Sequence, residues 1–225
     1  MRSTWDWWHR RDEFVAWARS VPRLANPAPV VEWSTDKRYL AELPHTIPTT
    51  FLEQGATYQV ADCSEKWIVK PTQSAGAADT FAVDGDGVGE AVARIHALGK
   101  VAMVQPYLHG VDERGETALL YFGGRFSHAV RKKAVLSSPR GDDGLYPIDQ
   151  LAPREPTPDE LRVADDVLAA VGDDLVYARV DLVPGDDGQP LLLELEVAEP
   201  SLFLRHGEGA ERRFADALVA ATLAP

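Results

Sequence analysis

The segment Leu191–Pro200, LLLELEVAEP, decides how this chain is read. On a strand, side chains two apart point the same way. Glu194 and Glu196 therefore share one face, with Leu193, Leu195 and Val197 on the other. Two adjacent carboxylates repel, and burying either is costly without a partner. Just upstream, VYARVDLV (176–183) places Tyr177, Arg179, Asp181 and Val183 on one face. The intervening PGDDGQP is short, so the two strands should pair antiparallel. With Asp181 opposite Glu194, Arg179 falls opposite Glu196, and facing Cβ atoms sit about 4.5–5.5 Å apart. That face then holds three carboxylates and one guanidinium. Arg179 offsets one charge. A divalent cation, Mg2+ or Mn2+, is the natural complement of the remaining two, because hard oxygen ligands suit these ions. A plain amphipathic hairpin with its polar face in water shows the same alternation.

The rest of the chain sets the bounds for this hairpin. Its 225 residues suffice for one large domain or two small ones. A hydrophobic share of 45% against 26% charged residues is globular in character. The net charge of −12 disfavours a nucleic-acid binder, which needs a basic face to meet phosphates. A single cysteine, Cys63, excludes an internal disulfide and a cysteine-based zinc cluster, and fits a reducing cytoplasm. MRSTWDWWHRRDEF has no apolar signal core, and no run approaches the roughly 18 apolar residues of a membrane span.

Periodicity predicts helices over about 9–21, from Ser34 or Thr35 through STDKRYLAEL, over GDGVGEAVARIHALG, over PDELRVADDVLAAVG, and from about Glu208 to Ala221. Strands are expected at IPTTFL, KWIVKP, TFAV and VAMVQPY, and as a hairpin turning at Gly123-Gly124 within ETALLYFGGRFSHAVRK. The run SSPRGDDGLYPIDQLAPREPTP reads as one long loop. Strands dominate the middle and helices flank them, an α+β architecture.

Three further features suit a ligand, two of them an anionic one and the third a purine. Lys70 ends an apolar strand and precedes a loop of small residues, Ser74, Ala75, Gly76, Ala77 and Ala78, whose backbone N–H groups can approach phosphate oxygens. A surface turn has the same composition, and there is no Walker A motif. Lys37 falls in the first turn of a helix, where the macrodipole disfavours a cation unless an anion or solvent relieves it. Gln105, Tyr107 and Leu108 end a strand in a way that suits a stacked purine, although an ordinary strand end looks alike. GDGVGEA fails as a dinucleotide fingerprint because Glu90 replaces the third glycine. Cys63 has no context that marks a nucleophile, and the six tryptophans within the first 67 residues read as packing.

Taken in order, STWDWW, NPAPVVEWSTDKRYL, VKPTQSAGAADT, QPYL, FSHAV and LLLELEVAEPSLFL run almost end to end through the chain. This order resembles the ATP-grasp superfamily of carboxylate–amine ligases, and most closely its bacterial glutathione-synthetase-like and cycloserine-forming group. The resemblance implies two α+β lobes that sandwich ATP. Lys37 and Lys70 would contact phosphates, and the 74–80 loop, with Ser74, Ala75 and Gly76, would close over them. Gln105, Tyr107 and Leu108 would line the adenine slot. Asp181, Glu194 and Glu196 would hold Mg2+ (or Mn2+), and Arg179 would stabilise the transferring phosphoryl group. Relatives carry an Asp-Phe-Arg-Val-like segment after the FSHAV hairpin. Here Arg131, Lys132, Lys133 or Arg140 stands in for its arginine, with Lys132 taken as the catalytic candidate. The implied reaction joins a small-molecule carboxylate to an amine through an acyl phosphate. The runner-up readings are a nucleotide-binding module without turnover and an ATP-grasp phosphotransferase.

The resemblance also implies a division of the chain. Residues 1–34 would be a remnant of the N-terminal domain with a connecting helix. Residues 35–108 would form the central lobe, and 109–225 the C-terminal lobe with the metal site. The Rossmann-like N-terminal domain would be largely missing, because STWD starts at Ser3, and the edge so left favours a homodimer or a partner.

Overall fold

The computed structural model describes residues 6–60, 63–133, 151–172 and 174–223. Among them, two antiparallel sheets carry the architecture. The smaller has β1 (Thr50–Leu52), β2 (Lys66–Pro71), β3 (Phe81–Asp84) and β4 (Ala102–Pro106), in the order β1-β4-β2-β3. The larger has β5 (Glu116–Phe122), β6 (Arg125–Lys132), β7 (Leu151–Arg154), β8 (Tyr177–Pro184) and β9 (Pro190–Glu196), in the order β7-β6-β5-β8-β9. The chain is α+β as expected. Ser3 and Arg140, singled out in the sequence, lie outside the described residues.

Helix α1 (Arg11–Ser20) follows a short 3-10 turn at Trp7–His9 and packs against α2 (Ala28–Ser34). The periodicity did not single out α2, a seven-residue helix behind the Asn26-Pro27 step. The helix expected at STDKRYLAEL is a 3-10 turn, Lys37–Ala41. Its cap is neither Ser34 nor Thr35: the Asp36 carboxylate accepts from the Arg38 N–H. Helix α3 (Val88–Ala97) places Val88, Ala91, Val92 and Ile95 against Leu52, Val69, Ala102 and Val104 on one face of the small sheet. By strand parity, Ile68, Lys70, Met103 and Gln105 then occupy the opposite face.

A five-residue helix, α4 (Gly110–Arg114), precedes β5. Helix α5 (Pro158–Val171) starts at a capping box of Thr157 and Glu160, has Pro158 at N1, and ends at left-handed Gly172. It covers one face of the large sheet through Val163, Ala164 and Val167, against a core that includes Leu119, Val180, Leu182 and Leu195. Helix α6 (Ala210–Leu223) covers one end of the other face through Ala210, Phe214 and Ala217. The rest of that face carries the polar hairpin residues. Part of the expected long loop is strand β7, whose Pro153 is tolerated because β7 is an edge strand.

The β8–β9 register is the one anticipated, Arg179 opposite Glu196 and Asp181 opposite Glu194. One side chain differs. The register shifts after Asp181, so Leu192 pairs with Leu182 and Leu193 is the extra, bulged residue. Leu192 therefore joins Leu195 and Val197 in the core in place of Leu193. The outer edge of β9 is covered there: the Leu192 N–H donates to the His45 carbonyl at 2.7 Å, and the Leu195 N–H to the Tyr39 hydroxyl at 2.9 Å.

Buried Asn26 ties the N-terminal helices to this sheet. Its amide donates to the carbonyls of Tyr177 (2.9 Å) and Val197 (2.6 Å), and its carbonyl accepts from the Val176 N–H at 2.9 Å. Asn26→Ala leaves three backbone groups without this partner. It should lower unfolding free energy by at least about 2 kcal/mol in urea denaturation.

Candidate active site

Asp181, Glu194 and Glu196 each offer a carboxylate oxygen within 4.8 Å of the others. Asp181 is 1% exposed. Arg179 meets it with two parallel bonds, Nε to Oδ1 and Nη2 to Oδ2, both 2.8 Å, and also reaches Glu196 Oε1 at 2.6 Å. Lys132, on β6, donates from Nζ to Asp181 Oδ2 at 2.7 Å and pairs with Glu116 at 2.8 Å. Glu194 pairs with Lys37 Nζ at 3.0 Å.

Glu116 was not singled out in the sequence. The signal was a lone acid at the head of an otherwise apolar strand. It stands opposite Lys132 in the β5–β6 register, behind Gly115 (φ +70°), where a Cβ would collide with the Lys132 carbonyl. Among the alternatives to Lys132, Arg131 donates to the carbonyls of Arg114 and Glu113, and Lys133 is exposed.

The charge count made from the hairpin alone is corrected here. The two uncompensated carboxylates left by Arg179 are met by Lys132 and Lys37, which arrive from other elements. The cluster is paired by protein cations before any ligand is considered. Burial would raise the Asp181 pKa, but Arg179 and Lys132 outweigh it and hold the group well below the usual carboxylate range. Glu194 is lowered in the same way, burial being overcome by Lys37 and Lys70. Glu196 goes the other way. Burial, helped by the Glu194 and Asp181 charges, outweighs Arg179 and pushes it up to about 7.

Lys70 is a different case. It is 9% exposed, and its ammonium has no hydrogen-bond or ion-pair partner among the described residues. Burial and the neighbouring Lys37 bring its pKa down to about 8, against the pull of Glu194 and Glu116. The adjoining loop is anchored at Ser74, whose carbonyl accepts from Lys37 Nζ at 2.7 Å, and at Gln73, whose amide donates to Asp36 at 2.8 Å. Gly76, Ala77 and Asp79 all have positive φ. The buried hydroxyls of Thr72 and Thr80, at the two ends of the loop, have no hydrogen-bond partner among the described residues. An unpaired buried cation and two orphaned hydroxyls around one loop fit a phosphate chain. Three clustered carboxylates fit a hard divalent cation.

The expected adenine residues are more dispersed. The Gln105 side chain donates to Thr49 Oγ1 at 2.8 Å. The Tyr107 hydroxyl donates to Asp112 at 2.6 Å. Tyr107 lines a cavity of about 500 Å3 with Lys66, Ala82, Val83, Asp84, Asp86 and Gly87; neither Gln105 nor Leu108 is in its wall.

No family model matches the chain. The cycloserine biosynthesis protein DcsG of Streptomyces lavendulae is 39% identical over 241 residues, which cover 96% of this chain and 80% of that protein. The chain belongs to the ATP-grasp ligases. The crystal structure of D-cycloserine synthetase DcsG superposes on this ATP-grasp chain with a TM-score of 0.85 at 36% identity, over 97% of this chain and 82% of that one. The D-alanine–D-alanine ligase of Bacillus anthracis, solved in complex with ATP, gives a TM-score of 0.62 at 15% identity, over 88% of this chain and 69% of that one. At that identity the likeness speaks for the fold alone. As an ATP-grasp ligase the protein is an enzyme that uses ATP to join a carboxylate to an amine. Among the described residues no helix is long and apolar enough to cross a membrane.

The two perturbed groups generate opposite pH slopes. A carboxylate raised from 4.5 to about 7 binds more protons folded than unfolded, so its stabilisation is lost as pH rises across that window. Glu196→Gln should remove up to about 3 kcal/mol of this decline, read from urea unfolding between pH 5 and 8 with chelator present. Lys70, lowered from 10.5 to about 8, binds fewer protons folded, so stability recovers as pH rises through that range. Lys70→Met should raise stability near pH 7 by about 1–3 kcal/mol and abolish the recovery.

Proposed function

We propose that the protein binds Mg2+ (or Mn2+) with ATP, phosphorylates a small-molecule carboxylate and passes the acyl group to an amine. The observation that carries this reading is the juxtaposition of Lys70, a buried cation with no hydrogen-bond or ion-pair partner among the described residues, and the three-carboxylate cluster, whose Glu194 feels its charge. Asp181, Glu194 and Glu196 would hold the metal, which supplies charge neutralisation at the transferring phosphoryl group. Lys37, now paired with Glu194, and Lys70 face the phosphates together with the loop of Ser74, Ala75 and Gly76. Tyr107 and Leu108 at the end of β4 take the adenine, and Gln105 contributes by supporting Thr49.

Arg179 is held rigidly by two bonds to Asp181, so its guanidinium is preorganised toward the phosphoryl group. Lys132 keeps Asp181 ionised. A carboxylate oxygen of the substrate attacks the γ-phosphorus, and ADP leaves. The amine nitrogen then attacks the acyl carbon of the acyl phosphate, phosphate leaves with the bonding electrons, and a proton is lost from nitrogen. The products are an amide, ADP and phosphate. The likeness to D-cycloserine synthetase favours a substrate of amino-acid size. The division into a connecting segment (1–34), a central lobe (35–108) and a C-terminal lobe (109–225) accords with one sheet in each of the last two.

A thermal-shift titration with a non-hydrolysable ATP analogue tests the nucleotide and metal sites. The midpoint should rise by mass action, more with Mg2+ than without, and the Mg2+ increment should vanish in Asp181→Asn. An increment that survives in Asp181→Asn would refute the metal assignment. Product analysis with amino-acid pairs should show amide and ADP in equal amounts; ADP without amide would point to a phosphotransferase.

A further inference from the structure

Two adjacent indoles near the start of the described chain reach opposite sides of the site. The Trp7 indole N–H donates to Glu199 Oε1 at 2.8 Å. Glu199 lies three residues beyond Glu196, on the segment that leaves β9. The next side chain, Trp8, turns its ring to Lys100, whose Nζ stands 4.7 Å from the ring centroid. Lys100 in turn bonds Asp79 Oδ2 at 3.3 Å. Asp79 belongs to the phosphate loop. The dipeptide thus joins the exit of the metal-bearing strand to the loop on the small sheet. Trp7 has its own support, stacking on Phe14 of α1 at 5.8 Å, with Phe14 on Trp17 at 5.6 Å.

The loop needs such support. Gly76 tolerates its positive φ, but Ala77 and Asp79 both sit at φ +56°, a region L-residues seldom adopt without external constraint. The Lys100–Asp79 pair is partly exposed, with side chains 20% and 35% accessible, and a pair of that kind fixes little by itself. An aromatic face beneath the ammonium confines Lys100 and makes the pair directional.

We propose that Trp7 and Trp8 are positioning residues for the phosphate loop, a strap that holds residues 74–80 near their nucleotide-binding conformation by fastening them, through Lys100, to the Glu199 end of the metal strand. The proposal rests on the ATP-binding reading above. Its physical basis is preorganisation: a loop already confined loses less entropy when nucleotide binds. Neither indole is among the residues assigned above to nucleotide or metal.

The test compares the full-length protein with Trp8→Leu, Lys100→Met, the double variant and Trp8→Phe. Trp8→Leu keeps an apolar side chain and removes the aromatic face; Trp8→Phe keeps that face. Two readouts are used: amide hydrogen exchange of residues 74–80 in the free protein, and the affinity for AMPPNP with Mg2+ by calorimetry. Trp8→Leu and Lys100→Met should each speed exchange in 74–80 and weaken AMPPNP binding about fivefold. The double variant should be no worse than either single one, because both remove the same link. Trp8→Phe should restore most of the affinity, and Trp7→Phe, which loses the N–H to Glu199, should loosen the same loop. Unchanged exchange of 74–80 in Trp8→Leu and Lys100→Met overturns the proposal, as does full additivity in the double variant. If the unaltered protein fails to bind AMPPNP, the ATP-binding reading falls, and the strap falls with it as a nucleotide-positioning device. Altered exchange would then show a loop anchor only.

Discussion

Asp181 is an ionised carboxylate in the interior of a five-stranded sheet, and its burial is made tolerable by Arg179 and Lys132. Removing either cation would leave a charge that the interior cannot solvate. The positions of both follow from strand pairing. Arg179 is two residues back on the same strand, and Lys132 comes from β6, two strands away, because β5 between them presents Ala118, a side chain small enough to reach past. The rest of the site is arranged around this triad. Glu196 leans on the same Arg179, and Glu116 anchors the same Lys132.

The second half of the site is built with the opposite imbalance. The small sheet sends Lys70 inward with no partner among the described residues, and the 3-10 turn at Lys37–Ala41 sends Lys37 to the Glu194 carboxylate. Cationic and anionic halves meet at Lys37 and Glu194, where the sheets approach. Burial first, and then the nearness of like charges, lower the Lys70 pKa and raise that of Glu196. Such perturbed groups lower the stability of the fold.

Much of this was legible in the chain. The alternation through Arg179, Asp181, Glu194 and Glu196, joined by a short turn, fixes their faces and their opposition, since strand period and hairpin length leave little freedom. Lys70 at the end of KWIVKP, followed by small residues, carried its own signal. The periodicity of PDELRVADDVLAAVG and the glycine pair at 123–124 marked their elements directly. Other elements were hidden. Helix α2 is too short for periodicity to speak, and Asp36 outcompeted Ser34 and Thr35 as a cap because its carboxylate also meets the Arg38 side chain. The Leu193 bulge leaves no mark in a run of three leucines, which suits either register.

Sequence alone determined the α+β class, the polar face of the last hairpin and the resemblance to ATP-grasp ligases, because these depend on spacing along one or two neighbouring segments. Tertiary structure decided which cations neutralise that face. Lys132 and Lys37 lie 49 and 157 residues from the carboxylates they meet, Asp181 and Glu194, and no local period reports such a distance. It likewise decided that Lys70 has no partner among the described residues, that Glu116 belongs to the cluster, and that Trp7 meets Glu199 while Trp8 meets Lys100. Electrostatic pairing is a property of points close in space, and only the folded chain specifies which points those are.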